Sequence, residues 1–260
     1  MKINFNGKKA FILSSTRGIG FAVANELSKL GAEVYIHGKT SLSVNKALSQ
    51  FSNKKVMIHG GISGDLYSSD DQKSIAKFIR LNKIDILIIN SGGPASGEYD
   101  KLTSKQFKRE TDMIIDSAVS CINAAIPYMK KREFGRIINI SSISLFKPIP
   151  SLPTSNASRS YLHGLMVGLS VEYAQYGITL NTICPGIILT DRQINLAKKE
   201  SENSKFTADQ IMINKKNQIP KGEMGKPEDI AYAVCFFSSE YANYITGQKI
   251  SIDGGLLGIF

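Results

Sequence analysis

Short apolar runs rich in β-branched residues alternate along this chain with longer stretches whose apolar positions recur every three to four residues. The first run, Lys9–Leu13, predicts a buried strand. Behind it, Ile19, Ala22, Val23, Leu27 and Leu30 line one face of a helix expected from about Gly18 to Leu30. The same reading places further strands at Glu33–His37, Lys55–Ile58, Asp85–Ile89, Arg136–Ile140, Ile178–Ile183 and Lys249–Ile252. Between them it expects a helical stretch through Leu48 and helices near Asp70–Leu81, Ser104–Lys131 and Asn156–Tyr176. A last helix opens at Pro227, where proline suits the first turn and Glu228 and Asp229 favour the positive end of the dipole. Strand and helix alternating to the end of the chain predict a single α/β domain with a doubly wound parallel sheet and right-handed crossovers. One stretch, Asp191–Glu223, lacks strand signals and is rich in Lys, Asn and Ser, and so reads as a helical insertion or substrate lid.

Composition narrows the picture. With 260 residues and 42% hydrophobic content the chain can bury a large core as one domain spanning residues 1–260. The net charge of +10 is spread among acids, and its densest stretches, Lys130-Lys131-Arg132 and Lys215-Lys216, are too short for a nucleic-acid footprint. Cys121, Cys184 and Cys235 show no metal-ligand spacing and read as reduced, buried thiols, and no metal is expected. The chain enters a strand almost at once, without a signal peptide, and no apolar run approaches the span of a bilayer. The expectation is a cytoplasmic protein without membrane partners.

Candidate chemistry begins directly after the first strand. Ser14-Ser15-Thr16-Arg17-Gly18-Ile19-Gly20 opens the first helix, where backbone N–H groups can receive a pyrophosphate and glycines let the backbone approach it. Strand before and helix after make this the glycine loop of a Rossmann-type dinucleotide site. An NAD site places an acid at the end of the second strand, roughly 20 residues past the glycines. His37-Gly38-Lys39 stands there instead. With no carboxylate to repel a phosphate, and with Lys39 and Arg17 in reach of the adenosine ribose, NADP(H) is favoured over NAD(H).

These features resemble the classical short-chain dehydrogenase/reductase family over nearly the whole chain. Its adenine-contacting Asp is similar to Asp65, followed by Leu66, and its Asn-Ala-Gly signature to Asn90-Ser91-Gly92. Its Pro-Gly segment, which holds the nicotinamide amide and a phosphate, resembles Pro185-Gly186-Ile187-Ile188-Leu189-Thr190. Thr246-Gly247-Gln248 and Asp253-Gly254-Gly255 match its closing signature. The resemblance implies a catalytic Ser at Ser142, but Ser155 stands at the Tyr position and Arg159 at the Lys position. Ile114 stands where the family has a relay Asn, and Ser14 replaces the first glycine. A divergent, 3-oxoacyl carrier-protein reductase-like branch carries Ser and Arg at these places. The implied assembly is a homo-oligomer, a tetramer or dimer formed through the helices that flank the fifth strand.

The substitutions have chemical consequences. A serine hydroxyl is a far poorer proton donor than a phenol, whose pKa of about 10 a nearby cation can lower. Arg159 cannot serve as a base, yet it can hold the nicotinamide ribose and place charge beside a developing alkoxide. Catalytic candidates are therefore Ser142, Ser155 and Arg159, with Ser155 or water relaying the proton. Tyr161 is rotated off the active face, His163 reads as a packed or surface residue, and Cys184 reads as a small apolar filler. The leading expectation is an NADP(H)-dependent oxidoreductase acting on a small-molecule carbonyl or secondary alcohol. A non-catalytic NADP(H)-binding sensor or scaffold is the alternative, and dehydration or isomerisation in the same cleft is a third reading.

Overall fold

The structure, a computed structural model, describes residues 2–53, 56–93, 99–150, 152–202 and 204–258. Seven parallel strands form one sheet: β1 (Lys9–Ile12), β2 (Glu33–Gly38), β3 (Gly60–Ser63), β4 (Ile86–Ile89), β5 (Gly135–Ile140), β6 (Ile178–Pro185) and β7 (Lys249–Ile252). Their spatial order is β3-β2-β1-β4-β5-β6-β7. The winding reverses between β1 and β4, and the crevice beyond the carboxyl ends of the strands there is where such sheets bind ligands.

Side chains alternate across the strands. Ala10, Ile12, Ile86, Ile88, Ile138 and Ile140 join one buried cluster, with Val23 and Leu27 of α1 (Gly18–Lys29), Val44 and Phe51 of α2 (Ser41–Asn53), and Ile230 and Val234 of α8 (Pro227–Ser238). Phe11, Leu87, Ile89 and Ile137 point the other way. They pack on Ile75 and Ile79 of α3 (Ser69–Asn82), Ile122 and Met129 of α4 (Ser104–Arg132), and Leu162 and Met166 of α5 (Pro153–Tyr173). Strands buried on both faces read as unbroken apolar runs, as the ILII of β4 does. Helix starts follow local chemistry, with Thr103 and Gln106 forming a capping box at α4 and Asp229 accepting from the Lys226 N–H at α8.

Two expectations need correction. The third strand was expected at Lys55–Ile58, of which Lys55 lies outside the described residues, but the ladder forms at Gly60–Ser63 against Tyr35–Gly38. Val56 and Ile58 pack on the core beside the sheet instead. A Cβ on Gly61 would lie 2.9 Å from Ile36 Cγ1 and 3.0 Å from Val44 Cγ1, so the glycine lets this strand close on β2 and α2 where a larger residue would not. Helix α5 begins at Pro153 rather than Asn156, with proline in its first turn, which brings Ser155 inside the helix. The stretch 191–223 holds two helices, α6 (Asp191–Ser201) and α7 (Ala208–Asn217), tied by Lys215 and Glu200 at 2.8 Å.

Candidate active and cofactor site

The loop from β1 to α1 is built around a residue that glycine usually occupies. Ser14 takes the left-handed conformation at φ 47°, which costs an L-residue roughly 1–2 kcal/mol. Two contacts hold it there: its N–H donates to His37 Nδ1 at 3.0 Å, and its carbonyl accepts from Asn90 Nδ2 at 3.1 Å. Because Nδ1 accepts, the ring proton sits on Nε2 and donates to the Gly64 carbonyl at 3.1 Å. Burial pushes the His37 pKa down to about 4, so the ring is neutral at ordinary pH. His37 thus clamps the glycine loop to the ends of β2 and β3. The sequence places it beside Lys39 but carries no sign of this role.

Gly20 is sterically required. A Cβ there would stand 2.8 Å from Ser15 Cα and 2.9 Å from Asn90 Nδ2. Thr16 packs on Gly38, and Ile19 packs on the core. Arg17 is the N-cap residue of α1; it makes no side-chain cap, and the first turn holds no acid. The open N–H groups and positive dipole end therefore face an anion unopposed. These features fit a pyrophosphate.

Just past the ends of β2 and β3, Lys39 Nζ lies 3.0 Å from Asp65 Oδ2. Burial raises the Asp65 carboxyl, but Lys39, the Tyr67 N–H and Arg109 together hold it below the usual range. Two expected cofactor contacts therefore hold each other. An exposed pair of this kind contributes at most about 1 kcal/mol and yields to a phosphate. Leu66 and Ser91 are buried, while among the described residues a Cβ on Gly92 would meet nothing within 4 Å.

Ser155 and Arg159 meet at the carboxyl end of β5, and Ser142 follows that strand two residues past Ile140. Arg159 Nε donates to Ser155 Oγ at 3.0 Å and Nη1 to the Ile140 carbonyl at 3.4 Å. Ser142 Oγ accepts from the Ser144 N–H at 3.1 Å. Each serine oxygen thus spends a lone pair on a fixed donor and keeps its hydroxyl proton to give. Burial, then Arg192, lowers the Arg159 pKa to about 10, so the guanidinium remains charged at neutral pH. Ser155 is 4% exposed. Ile114 is buried in the core and offers no polar atom for a relay.

The Pro185–Thr190 segment joins the end of β6 to the start of α6. A Cβ on Gly186 would be 2.7 Å from Asp253 Cα, so the Pro-Gly turn and the Asp253-Gly254-Gly255 signature require each other. Ile188 bridges to Gly225, and Thr190 caps α6 while its Cγ2 lies 3.6 Å from where a Cβ of Gly18 would stand. Arg192, not anticipated from the sequence, reaches back across the cleft and donates from Nη1 to the Gly93 carbonyl at 3.0 Å. His163 instead lies 3.2 Å from Thr182 Oγ1, and Tyr161 is exposed. Burial pushes the Cys184 thiol up to about 11, and all three cysteines are buried and unbridged.

An open parallel sheet, a glycine loop feeding an uncapped helix, and polar groups gathered at the switch point define a Rossmann-type dinucleotide-binding protein. The family model described as enoyl-(acyl carrier protein) reductase matches residues 13–257. The 3-oxoacyl-[acyl-carrier-protein] reductase FabG of Rickettsia typhi is 32% identical over 261 residues, covering 98% of this chain and 99% of that protein. Human dehydrogenase/reductase SDR family member 4 is 31% identical over 252 residues, covering 95% and 87%. Among solved structures, YwfH, an NADPH-dependent reductase involved in bacilysin biosynthesis, aligns with a TM-score of 0.90 at 26% identity, covering 97% and 99%. An NADP-bound 3-oxoacyl (acyl-carrier-protein) reductase from Agrobacterium tumefaciens aligns at 0.86 and 25% identity, covering 96% and 95%. The chain belongs to the short-chain dehydrogenase/reductase family of oxidoreductases, in its FabG-like branch. Among the described residues no helix is long and apolar enough to cross a membrane.

Proposed function

We propose that the protein is an NADP(H)-dependent reductase or dehydrogenase acting on a small-molecule carbonyl or secondary alcohol. The observation that carries this reading is the Ser155–Arg159 pair held at the end of β5, with the Ser142 hydroxyl just past the same strand. Ser14 to Gly20, Asn90 to Gly92, and Pro185, Gly186, Ile188 and Thr190 would hold the cofactor, with Asp65 and Leu66 beside the adenine. Arg17 and Lys39 would take the 2′-phosphate, and Arg159 the nicotinamide ribose. The NADP-bound A. tumefaciens neighbour supports that choice. When bound, the nicotinamide supplies or accepts a hydride at the carbonyl carbon.

The remaining work falls to this chain. Ser142 donates its hydroxyl proton to the substrate oxygen in a hydrogen bond, and Arg159 stabilises the charge that develops there. Arg159 stays charged at neutral pH and so cannot take up a proton as a base. Water hydrogen-bonded to Ser155 relays a proton from bulk solvent to the substrate oxygen, so no hydroxide is left in the site. NADPH oxidation followed across ketones, aldehydes, sugars and β-ketoacyl thioesters tests this reading. Turnover with any class supports it, and tight NADPH binding without turnover on any of them refutes it. The second reading, a non-catalytic NADP(H) sensor, draws on Ser155, Arg159 and the apolar Ile114 standing where the family keeps its relay groups.

We also propose a homo-oligomer built through α4 and α5. Tyr161, Val167 and Val171 are exposed on α5, and among the described residues Cβ atoms at Gly164 and Gly168 would meet nothing within 4 Å. Sedimentation equilibrium decides it, and a monomer at micromolar concentration refutes it.

A further inference from the structure

The side of β5 and β6 that faces α5 turns polar where a sheet buried on both faces calls for apolar residues. Ile137 and Leu180 on that side still pack in the core with Met166 of α5. Nearer the carboxyl ends, Asn139 stands in register with Thr182. Ser141 comes two residues later, and its N–H continues the ladder to the Ile183 carbonyl at 2.8 Å. Residues two apart on a strand share a face, and paired residues of adjacent strands lie side by side about 5 Å apart. Asn139 and Ser141 are 2% and 7% exposed, and among the described residues no group meets Asn139 Nδ2 or Ser141 Oγ. Buried polar atoms left unmet are costly, and native proteins commonly satisfy them with an internal water. Side chains two residues apart along a strand are separated by about 6–7 Å, the span that one bridging water fills.

This polar column has two ends. One is His163, half-buried on α5, whose Nδ1 lies 3.2 Å from Thr182 Oγ1. The other is the reaction site. Arg159, one helical turn before His163, donates from Nη1 to the carbonyl of Ile140, the residue before Ser141, and from Nε to Ser155 Oγ. Ser155, Arg159 and His163 therefore recur every four residues along one side of α5. From α4, Ile114 brings only an apolar side chain. Burial and the charge of Lys249 on β7 both disfavour a charged His163 ring, Arg159 adds positive charge from the preceding turn, and the Cys184 thiol on β6, pushed up to about 11 by burial, is neutral. A ring so placed hands a proton on rather than keeping it.

We propose that His163, Thr182, Asn139 and Ser141 form the route by which a solvent proton reaches the reaction site, with Asn139 and Ser141 holding the water between them. This deepens the reductase reading and rests on it. His163 takes a proton from solvent at Nε2 and gives one from Nδ1 to Thr182 Oγ1. Each hydroxyl or water along the route accepts one proton and passes one on, while Asn139 orients its water and transfers none. The water on Ser155 is the last member and protonates the substrate oxygen. The net transfer is one proton from bulk solvent, and the imidazole resets by exchange with solvent.

The test is NADPH oxidation with the most active carbonyl of the panel above, in water and in deuterium oxide, for the wild-type protein, His163→Gln, His163→Ala and Thr182→Val. His163→Gln and Thr182→Val are each expected to lower kcat about tenfold or more and to raise the solvent isotope effect, with KM and NADPH affinity shifting less than about twofold. Added imidazole should restore kcat of His163→Ala in a saturable way, which a packing role would not allow. Urea unfolding identifies any variant that has lost its packing, and His163→Gln, at a half-exposed position, keeps the test open if Thr182→Val unfolds. Unchanged kcat and isotope effect in the folded variants overturn the route and leave the reductase reading standing. So does a loss that lies in KM or NADPH affinity and that imidazole does not restore. Absence of turnover by the wild-type protein refutes the reductase reading, and the route falls with it.

Discussion

His37 is a buried base in a protein otherwise built to hold anions, and its titration should be readable in stability. It is 1% exposed, and burial holds its pKa near about 4 against the ordinary 6.5, despite the Gly64 carbonyl and Asp71, which favour the charged form. Above pH 6.5 the ring is neutral in both folded and unfolded chains, and its clamp on Ser14 contributes in full. As the pH falls, the unfolded chain binds a proton that the folded protein refuses until about 4. Stability is therefore lost across that window, by about 2 kcal/mol at pH 5 and approaching about 3 kcal/mol below pH 4.

The assay is urea unfolding at pH 7 and pH 5, comparing the wild-type protein with His37→Asn, whose side chain can still accept from the Ser14 N–H but does not titrate. His163, lowered by burial, and Asp85, raised by burial, also affect the pH dependence, but both remain in the variant and cancel in the comparison. The wild-type protein should lose about 2 kcal/mol more than His37→Asn over this interval. Equal losses would falsify the assignment of a neutral, buried His37. NADPH affinity, a property of the folded protein, should hold across this interval and fall only as the pH approaches about 4, where a protonated Nδ1 no longer accepts from Ser14.

Three further outcomes follow from the site and its supports. Gly20→Ala puts a methyl group against Ser15 and Asn90, and should weaken NADPH binding about tenfold or more and cost ~2 kcal/mol in urea unfolding; unchanged affinity would refute the steric reading. Ser142→Ala removes the donor to the substrate oxygen and should lower kcat/KM about a hundredfold, with NADPH affinity by fluorescence shifting less than about twofold. Arg136, buried at the start of β5, donates to the carbonyls of Gly135, Gly177 and Ser239 and to Asn243 Oδ1. Arg136→Met leaves those acceptors unmet, and calorimetry should show a loss of about 2–4 kcal/mol; a Tm within error of wild type would count against it.

The doubly wound sheet and the glycine loop were legible because both are written in local chemistry. A buried parallel strand must be apolar on both faces, and a loop opening onto a helix N-terminus needs small residues near the turn. Ser155 and Arg159 could be paired in advance because four residues along a helix return to one face, and the structure joins them at 3.0 Å. The third strand was not legible. Gly60-Gly61 has little β propensity of its own and becomes a strand only because Ile36 and Val44 leave room for a bare backbone.

Two of the more telling residues at the site belong to that second kind. His37 reads as one more strand position until β3 brings the Gly64 carbonyl and β1 brings Ser14 to opposite sides of its ring. Arg192 reads as a lid cation until the chain folds it back onto Gly93, 99 residues earlier. Fold class and cofactor loop depend on neighbours a few residues away, which any stretch of sequence carries. The protonation of a buried imidazole and the return of Arg192 onto Gly93 depend on groups from distant segments, and only packing brings those together.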